Sequence, residues 1–380
     1  MLRTLLLAVT IAIAASSAAR AQIKIGVIAS ATGPTSVVGI SQKNTVALLP
    51  KEMGGEKVEY IVYDDASDPT QTVQLFKKLL SDDKVDAIIG PSGSPNAVGV
   101  IQFAAEAKTP MLAPVGTTAV VLPMDDTKRW VFKTTQNDDL ISDALVRHMK
   151  ATGIKTAGLI SSNDPYGENW AKTFTRMTAD AGIKLVAAEK FQRTDSSVTA
   201  QALKLLAADP DAILVAAAGG PTVLPETTLV DQGYRGKIYQ THGAATPDFL
   251  KLGGKKVDGT ILAASLMLVM DEVPDSVASK KVAAEYIAAY TKMYGTAPAT
   301  FGANVYDAGL LLAAAVPTAL KSGKPGTEAF RTALRDEIEK TKELVGAQGV
   351  YTMTPADHSG FDDRGRVLIT VKDGSWHLIQ

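Results

Sequence analysis

Ile23-Lys24-Ile25-Gly26-Val27-Ile28, followed closely by Ala31-Thr32-Gly33-Pro34-Thr35-Ser36-Val37-Val38-Gly39, decides how this chain reads. The first run is a short, mostly apolar strand. The second is a turn of Gly, Pro, Ser and Thr, residues that bend the backbone and expose N–H groups and hydroxyls. A polar loop at the carboxyl end of a buried strand is where open α/β sheets hold small ligands.

Upstream of this unit, residues 1–21 read as an export leader. Arg3 gives a positive start, residues 5–15 are almost entirely apolar, and Ala19-Arg20-Ala21 fits the small-x-small cleavage rule, which makes Gln22 the expected mature start. The apolar run is too short to span a bilayer comfortably, and no later stretch is apolar for long enough. The chain has no cysteine, which excludes disulfides, thiolate metal sites, a cysteine nucleophile and a lipid-modified cysteine at the cleavage site. The expected location is the periplasm, exported and not lipid-anchored. Of 39 basic and 40 acidic side chains, the leader holds two basic and no acidic ones, so the remainder carries a net charge of −3. That is no footprint for nucleic acid. Residues 22–380 exceed what one hydrophobic core usually covers, so two domains are expected.

Downstream, strand and helix patterns alternate. Residues 58–63 alternate like a strand, Asp68-Pro69 opens a helix with Val73, Phe76 and Leu80 on one face, and 85–89 form a buried strand ending in Gly90. Ser94-Pro95 is expected to cap a helix with Val98, Ile101 and Ala105 inward, and Met111-Leu112-Ala113 returns as a strand. A second series follows Trp130-Val131-Phe132: a helix around Leu140–His148, a strand at 156–160, a helix at 167–182, then 185–191, 198–208, 212–217 and 223–232. Residues 277–294, 303–320 and 327–341 read as helices, and 367–371 with 376–379 as a hairpin turning at Asp373-Gly374. The fold class is α/β, with two doubly wound parallel-sheet lobes.

The carboxyl-end rule then selects loops. In the first lobe they are 30–39, Gly90-Pro91-Ser92-Gly93-Ser94-Pro95 and Pro114-Val115-Gly116-Thr117-Thr118. Free N–H groups, the Ser94 and Thr117 hydroxyls and the positive end of a helix would suit a carboxylate. In the second lobe they are Asn163-Asp164-Pro165-Tyr166-Gly167-Glu168, Ala218-Gly219-Gly220-Pro221 and Thr241-His242-Gly243-Ala244. Each loop taken alone is more often an ordinary turn or helix cap than a site. No G-x-S-x-G elbow, P-loop, H-E-x-x-H or G-x-G-x-x-G motif is present. His148, His242, His358 and His377 lack metal-ligand spacing. The chain reads as no enzyme, with no catalytic residue, cofactor or metal.

These residues together resemble the leucine/isoleucine/valine-binding protein family: Ile25-Gly26-Val27-Ile28 with Thr32-Gly33-Pro34, Asp86-Ala87-Ile88-Ile89-Gly90-Pro91 with Ser94, Pro114 with Gly116-Thr117, and Tyr166-Gly167-Glu168. The resemblance covers nearly the whole mature chain. It implies a periplasmic receptor of an ABC importer with the type I periplasmic binding fold, two lobes joined by a three-crossing hinge that close on the ligand. By resemblance the crossings fall near 134–136, 267–269 and 351–354. Residues 22–135 with 270–350 then form the N-terminal lobe and 136–269 with 351–380 the C-terminal lobe. The implied partners are a small carboxylate ligand and an inner-membrane ABC permease, with the receptor a monomer.

Carried over position by position, Ser94 matches the serine that binds the ligand carboxylate. Val115 and Thr117, flanking Gly116, match the contacts to α-carboxylate and α-ammonium, and Tyr166 matches a tyrosine reached on closure. Three positions depart. Val38 stands where the family has a tyrosine, Ala218-Gly219 where it has an aromatic ring, and His242-Gly243 where it has the glutamate that pairs with the ammonium, with no acid nearby in the sequence. Burying an ammonium without a countercharge is costly. Gly39-Ile40-x-x-Lys43-Asn44-Thr45, Gln240-Thr241-His242-Gly243, Thr300-Phe301-Gly302 and Tyr306-Asp307-Ala308-Gly309 also resemble a branch that binds aromatic acids. The expected ligand is therefore a benzoate or hydroxycinnamate, with Tyr166, Phe301 and His242 at its ring end. A branched-chain amino acid, or a sensing domain on the same fold, is the alternative.

Overall fold

The computed structural model describes residues 22–379, and the expected leader lies outside them. Among these residues the strands gather into two large sheets. The first holds β1 (Ile23–Ala29), β2 (Glu52–Met53), β3 (Glu56–Asp64), β4 (Ala87–Ile89), β5 (Met111–Ala113) and β6 (Val131–Lys133), in the order β2-β3-β1-β4-β5-β6. All pairs are parallel except the short β2–β3 turn-back. The second holds β7 (Thr156–Ser162), β8 (Lys184–Phe191), β9 (Ala212–Ala216), β10 (Lys237–Gln240) and β11 (Ile261–Ala264). A separate ribbon pairs β12 (Leu344–Val345) with β13 (Val350–Tyr351). The last two strands, β14 (Val367–Lys372) and β15 (Ser375–Leu378), join the second sheet, whose order is β15-β14-β11-β10-β9-β7-β8. The β11–β14 and β14–β15 pairs are antiparallel, so this sheet is mixed rather than all-parallel. The β14–β15 turn is Asp373-Gly374, both at positive φ, as a tight hairpin demands.

Among the described residues, twelve α-helices flank the sheets. They are α1 (Ser36–Thr45), α2 (Pro69–Ser81), α3 (Ser94–Val98), α4 (Ile101–Glu106), α5 (Asp138–Ala151), α6 (Pro165–Asp180), α7 (Thr199–Ala207), α8 (Val223–Asp231), α9 (Pro247–Gly253), α10 (Ser279–Tyr294), α11 (Thr300–Ala319) and α12 (Glu328–Glu339). Central strands such as Ala212–Ala216 are buried throughout because helices cover both faces. On the first sheet, Leu312 and Phe330 from α11 and α12 pack on Ile25 and Ile89. Phe76 and Leu79 from α2 pack on Ile28 and Ile88 on the other face. On the second sheet, Trp170 and Phe174 of α6 lie over Leu159 and Leu214, and Leu205 and Leu229 of α7 and α8 lie over Ile160 and Val215.

Two local readings need correction. The helix expected from Ser94 is broken. α3 ends at Val98 after five residues, with Gly99 as its C-cap, and Val100, at φ −119° and ψ −3°, is the N-cap of a separate helix α4. Val98 is consequently exposed, and the inward residues are Ala97, Ile101 and Ala104, with Ala105 only half-buried. Ser94 does not cap this helix. Gly93 holds that position without a side-chain hydrogen bond. On α2, Asp68 caps the Thr70 and Gln71 amides as expected, but Leu79 points inward with Phe76 while Val73 and Leu80 are half-buried.

The chain passes between the sheets after β6, after β11 and between β13 and β14. Helices α10 to α12 thus return to the first sheet before β14 and β15 finish the second. Where the crossings meet, the Tyr351 hydroxyl contacts the Thr134 carbonyl at 3.2 Å, and Gln136 Nε2 donates to the Gly365 carbonyl at 2.7 Å.

Candidate functional site

Parallel register brings the carboxyl ends of β1, β4, β5 and β6 to one edge of the first sheet, and those of β7, β8, β9 and β10 to one edge of the second. The two edges face each other across a cavity with about 400 Å³ of empty volume. Of the expected residues, Val38, Ser94, Val115 and Gly116 line it from the first lobe and Tyr166, Ala218 and His242 from the second. Phe301, in the first turn of α11, also lines it.

Two expected residues do not line it. Thr117 is fully buried behind the loop, its hydroxyl accepting the Ala119 N–H at 3.3 Å. Gly219 sits at the contact between lobes, where an added Cβ would meet Val37 Cγ2 at 3.4 Å. The lobes are closed on each other, as the Thr118 hydroxyl donating to Asn169 Oδ1 at 2.8 Å also shows.

On the first-lobe wall, the N–H groups of Val115 and Gly116 and the Ser94 hydroxyl find no acceptor or donor among the described residues, although Ser94 is buried. Lys133, the fully buried last residue of β6, sets this loop by donating to the Gly116 carbonyl at 2.5 Å and to Asn137 Oδ1 at 2.6 Å. Holding that carbonyl back turns the following N–H the other way. No motif marked Lys133.

On the second-lobe wall, the Tyr166 hydroxyl donates to Thr241 Oγ1 at 2.8 Å, and Thr241 in turn donates to the Ala217 carbonyl at 2.9 Å. Tyr166 therefore offers the cavity its ring, its proton being already placed. His242 stands edge-on to that ring, with centroids 6.2 Å apart. Its Nδ1 is buried without a partner, and its Nε2 lies 3.9 Å from Asp138 Oδ1. Burial, reinforced by the Lys133 charge, pushes His242 down to about 3, so it is neutral at pH 7.

Asp138 is the acid that the sequence did not place here. It starts α5, is fully buried, and receives Asn169 Nδ2 at 2.7 Å. Burial pushes its carboxyl up and the Lys133 ammonium down, each charge opposing the shift of the other. Asp138 lies behind Gly116 and His242 and does not line the cavity. The charged side chain that does is Arg193, from the loop after β8, unmarked by any motif. Applying the carboxyl-end rule to the 185–191 strand would have found it.

The second likeness seen in the sequence mostly marks packing. Asn44 Nδ2 donates to the Tyr290 hydroxyl at 3.0 Å, Gln240 Nε2 to Glu226 Oε2 at 2.8 Å, and Asp307 holds the third crossing. Only Phe301, His242 and Gly243 of those segments reach the cavity.

A larger groove opens at the opposite, amino-terminal edge of the second sheet, lined by Asp211, Lys237 and Thr260 and belonging to one lobe alone. Glu226 lies at its floor, taking hydrogen bonds from Gln240 and Thr260. Burial pushes Glu226 up to about 7, its two donors opposing only in part. The folded value exceeds the usual 4.5, so the folded protein holds this proton more tightly than the unfolded chain. Its contribution to stability is present below pH 4.5 and falls as pH rises toward 7. That loss amounts to about 3 kcal/mol. In urea melts from pH 4.5 to 8, Glu226→Gln is expected to lack this part of the decline and to be the more stable protein at pH 8. Parallel curves for the two proteins would contradict the assignment.

A family model for periplasmic binding proteins matches residues 22–371. The chain belongs to the periplasmic binding protein family. Family relatives include the Leu/Ile/Val-binding protein BraC3 of Rhizobium johnstonii, 27% identical over 338 residues that cover 85% of this chain and 90% of the relative. An extracellular ligand-binding receptor from Rhodopseudomonas palustris HaA2 is 44% identical, covering 95% of this chain and all of that one, with a TM-score of 0.92. A leucine binding protein from Thermotoga maritima, at 24% identity and a TM-score of 0.80 over 94% of this chain and 98% of that one, shares the fold. Family membership accounts for the two lobes and the parallel edges that meet at the cavity. No helix among the described residues is long and apolar enough to cross a membrane.

Proposed function

We propose that this chain is the periplasmic receptor of an ABC importer and that it captures a small aromatic carboxylate for a membrane permease. The observation that carries this reading is the lining of the closed cavity. Ser94 and the unpaired Val115 and Gly116 amides supply donors, Tyr166, His242 and Phe301 supply flat apolar surface, and no carboxylate faces in. Such a cavity solvates an anion and leaves an ammonium without a countercharge. Binding begins on the first lobe. Closure adds Tyr166 and His242, so ligand favours the closed state by its extra contacts there.

Two observations favour a branched-chain amino acid instead. Relatives are named for leucine, isoleucine and valine, and Asp138 lies 3.9 Å from His242. Against it, the Asp138 charge is opposed by buried Lys133 and is screened from the cavity by Gly116 and His242.

Titration calorimetry with leucine, valine, benzoates and cinnamates separates the two. The expected result is tight binding of at least one aromatic acid and none of leucine. Tight leucine binding with no aromatic response rejects the ligand assignment. With the ligand found, Ser94→Ala is expected to weaken it about 10- to 100-fold, the range for a hydrogen bond to a charged group. Thr117→Ala should weaken it far less, since that hydroxyl is turned away from the cavity.

A further inference from the structure

We propose that Arg193 is the specificity-determining residue of the second lobe, pairing with the anionic group of the ligand as the cleft closes. This rests on the reading that the cavity takes a carboxylate.

Position comes first. Arg193 lines the inner cavity together with Gly93 and Ser94. It also lines an outer depression at the cleft mouth, between Pro95 and Asn96 of the first lobe and Asp164 of the second. It is the one residue shared by the two spaces, so it stands between the ligand and solvent, facing the wall that carries the Ser94 hydroxyl. Its side chain is only 16% exposed.

The aim of the guanidinium is fixed from behind. Its Nε donates to Asp164 Oδ2, while Asp164 Oδ1 caps α6 by accepting the Tyr166 and Gly167 amides at 2.8 and 3.0 Å. Burial alone would raise the Asp164 carboxyl. The Arg193 charge and the helix amides outweigh it and hold the group below the usual carboxylate value. Asp164 is thus ionised and shared among three donors. It anchors Arg193 to the same helix start that presents Tyr166, so cation and ring reach the cavity as one unit.

The terminal nitrogens are what remain. Among the described residues, Arg193 makes no side-chain hydrogen bond other than that of Nε. No carboxylate lines the cavity to take the others. A planar guanidinium with its Nη atoms unpaired matches a carboxylate in shape and charge. A ligand with one oxygen toward Ser94 and the 115–116 amides and the other toward Arg193 would be held by both lobes through a single charged group.

The test separates charge recognition from plugging. Calorimetry compares an aromatic acid that the wild type binds with its primary amide, for example benzoate with benzamide, in wild type, Arg193→Gln and Arg193→Lys. Arg193→Gln is expected to lose on the order of 10- to 100-fold in affinity for the acid. Its affinity for the amide should stay within about threefold, and Arg193→Lys should keep part of the preference for acid. Melting temperatures of the unliganded variants confirm folding. Equal weakening of acid and amide would make Arg193 a plug only, and no change would remove it from the site. Either result overturns this proposal and leaves the aromatic-acid reading standing. Should leucine prove to be the ligand, the aromatic reading falls, and leucine against leucinamide applies the same ratio to Arg193. A wild type that binds neither series defeats both.

Discussion

Gly116→Val is expected to abolish high-affinity ligand capture while leaving both lobes folded. A Cβ on Gly116 would lie 2.6 Å from Asp138 Oδ1, 2.8 Å from His242 Nε2 and 2.9 Å from Tyr166 Cε2. None of these three can step aside cheaply. Asp138 is pinned by Asn169, Tyr166 by Thr241, and His242 is buried against both aromatic neighbours. All three pack with the second sheet, whereas Gly116 follows β5 of the first. The collision therefore exists only when the lobes are together, and the soft response is to open the hinge. An apparent affinity scales with the fraction of molecules able to close. A loss of at least about 100-fold, equivalent to about 3 kcal/mol, is expected by calorimetry. Small-angle scattering with saturating ligand should report an open envelope for the variant and a compact one for the wild type. Binding by Gly116→Val within threefold of wild type would mean that the two walls do not meet in the liganded protein.

The second large effect is on stability. Asp307, fully buried in α11, accepts the Ala347 and Gln348 amides at 2.7 and 2.9 Å and the Tyr351 hydroxyl at 2.9 Å. That hydroxyl also reaches the Thr134 carbonyl, so one carboxylate ties a first-lobe helix to two of the three crossings. Asp307→Ala would strand the two buried amides and leave the Tyr351 hydroxyl only the Thr134 carbonyl. Each unmet donor costs about 1–3 kcal/mol, with partial relief by rearrangement or water, so a total of about 3–5 kcal/mol is expected in urea unfolding. Tyr351→Phe removes one donor and should cost about 1 kcal/mol. A change below about 1 kcal/mol for Asp307→Ala would show that the crossings are held elsewhere.

How much of this was legible in the sequence depends on the range of the interaction. Buried parallel strands announce themselves as short apolar runs, and Asp68-Pro69 and Asp373-Gly374 carry their own local geometry, so strand and helix alternation and the loops at the sheet edge were readable. The break at Gly99-Val100 was not, because apolar spacing continues across it. The cavity wall was readable wherever a loop follows a recognisable strand, which covers Ser94, Val115, Gly116, Tyr166, Ala218 and His242. Whether a hydroxyl in such a loop faces in or out is a matter of one peptide's rotation, which is why Thr117 was misjudged. Lys133, Asp138 and Arg193 were missed for a different reason. Their meaning comes from what they meet across the fold, the Gly116 carbonyl, His242 and Asp164, and of the three only Arg193, just past the carboxyl end of a strand, lay within reach of a local rule.

The antiparallel pair that ends the chain has an implication for how the molecule comes to exist. Strand β11 is buried along its whole length, and β14 covers its outer side more than a hundred residues later. Helices α10 to α12, synthesised in between, serve the other half of the molecule. A nascent chain stopped before residue 367 would present β11 as a bare, sticky rim, so neither half matures by itself as it leaves the ribosome. Strands β14 and β15 act as a fastening put in place after β11 and the helices that follow it, and their removal should compromise assembly far more than their small size suggests.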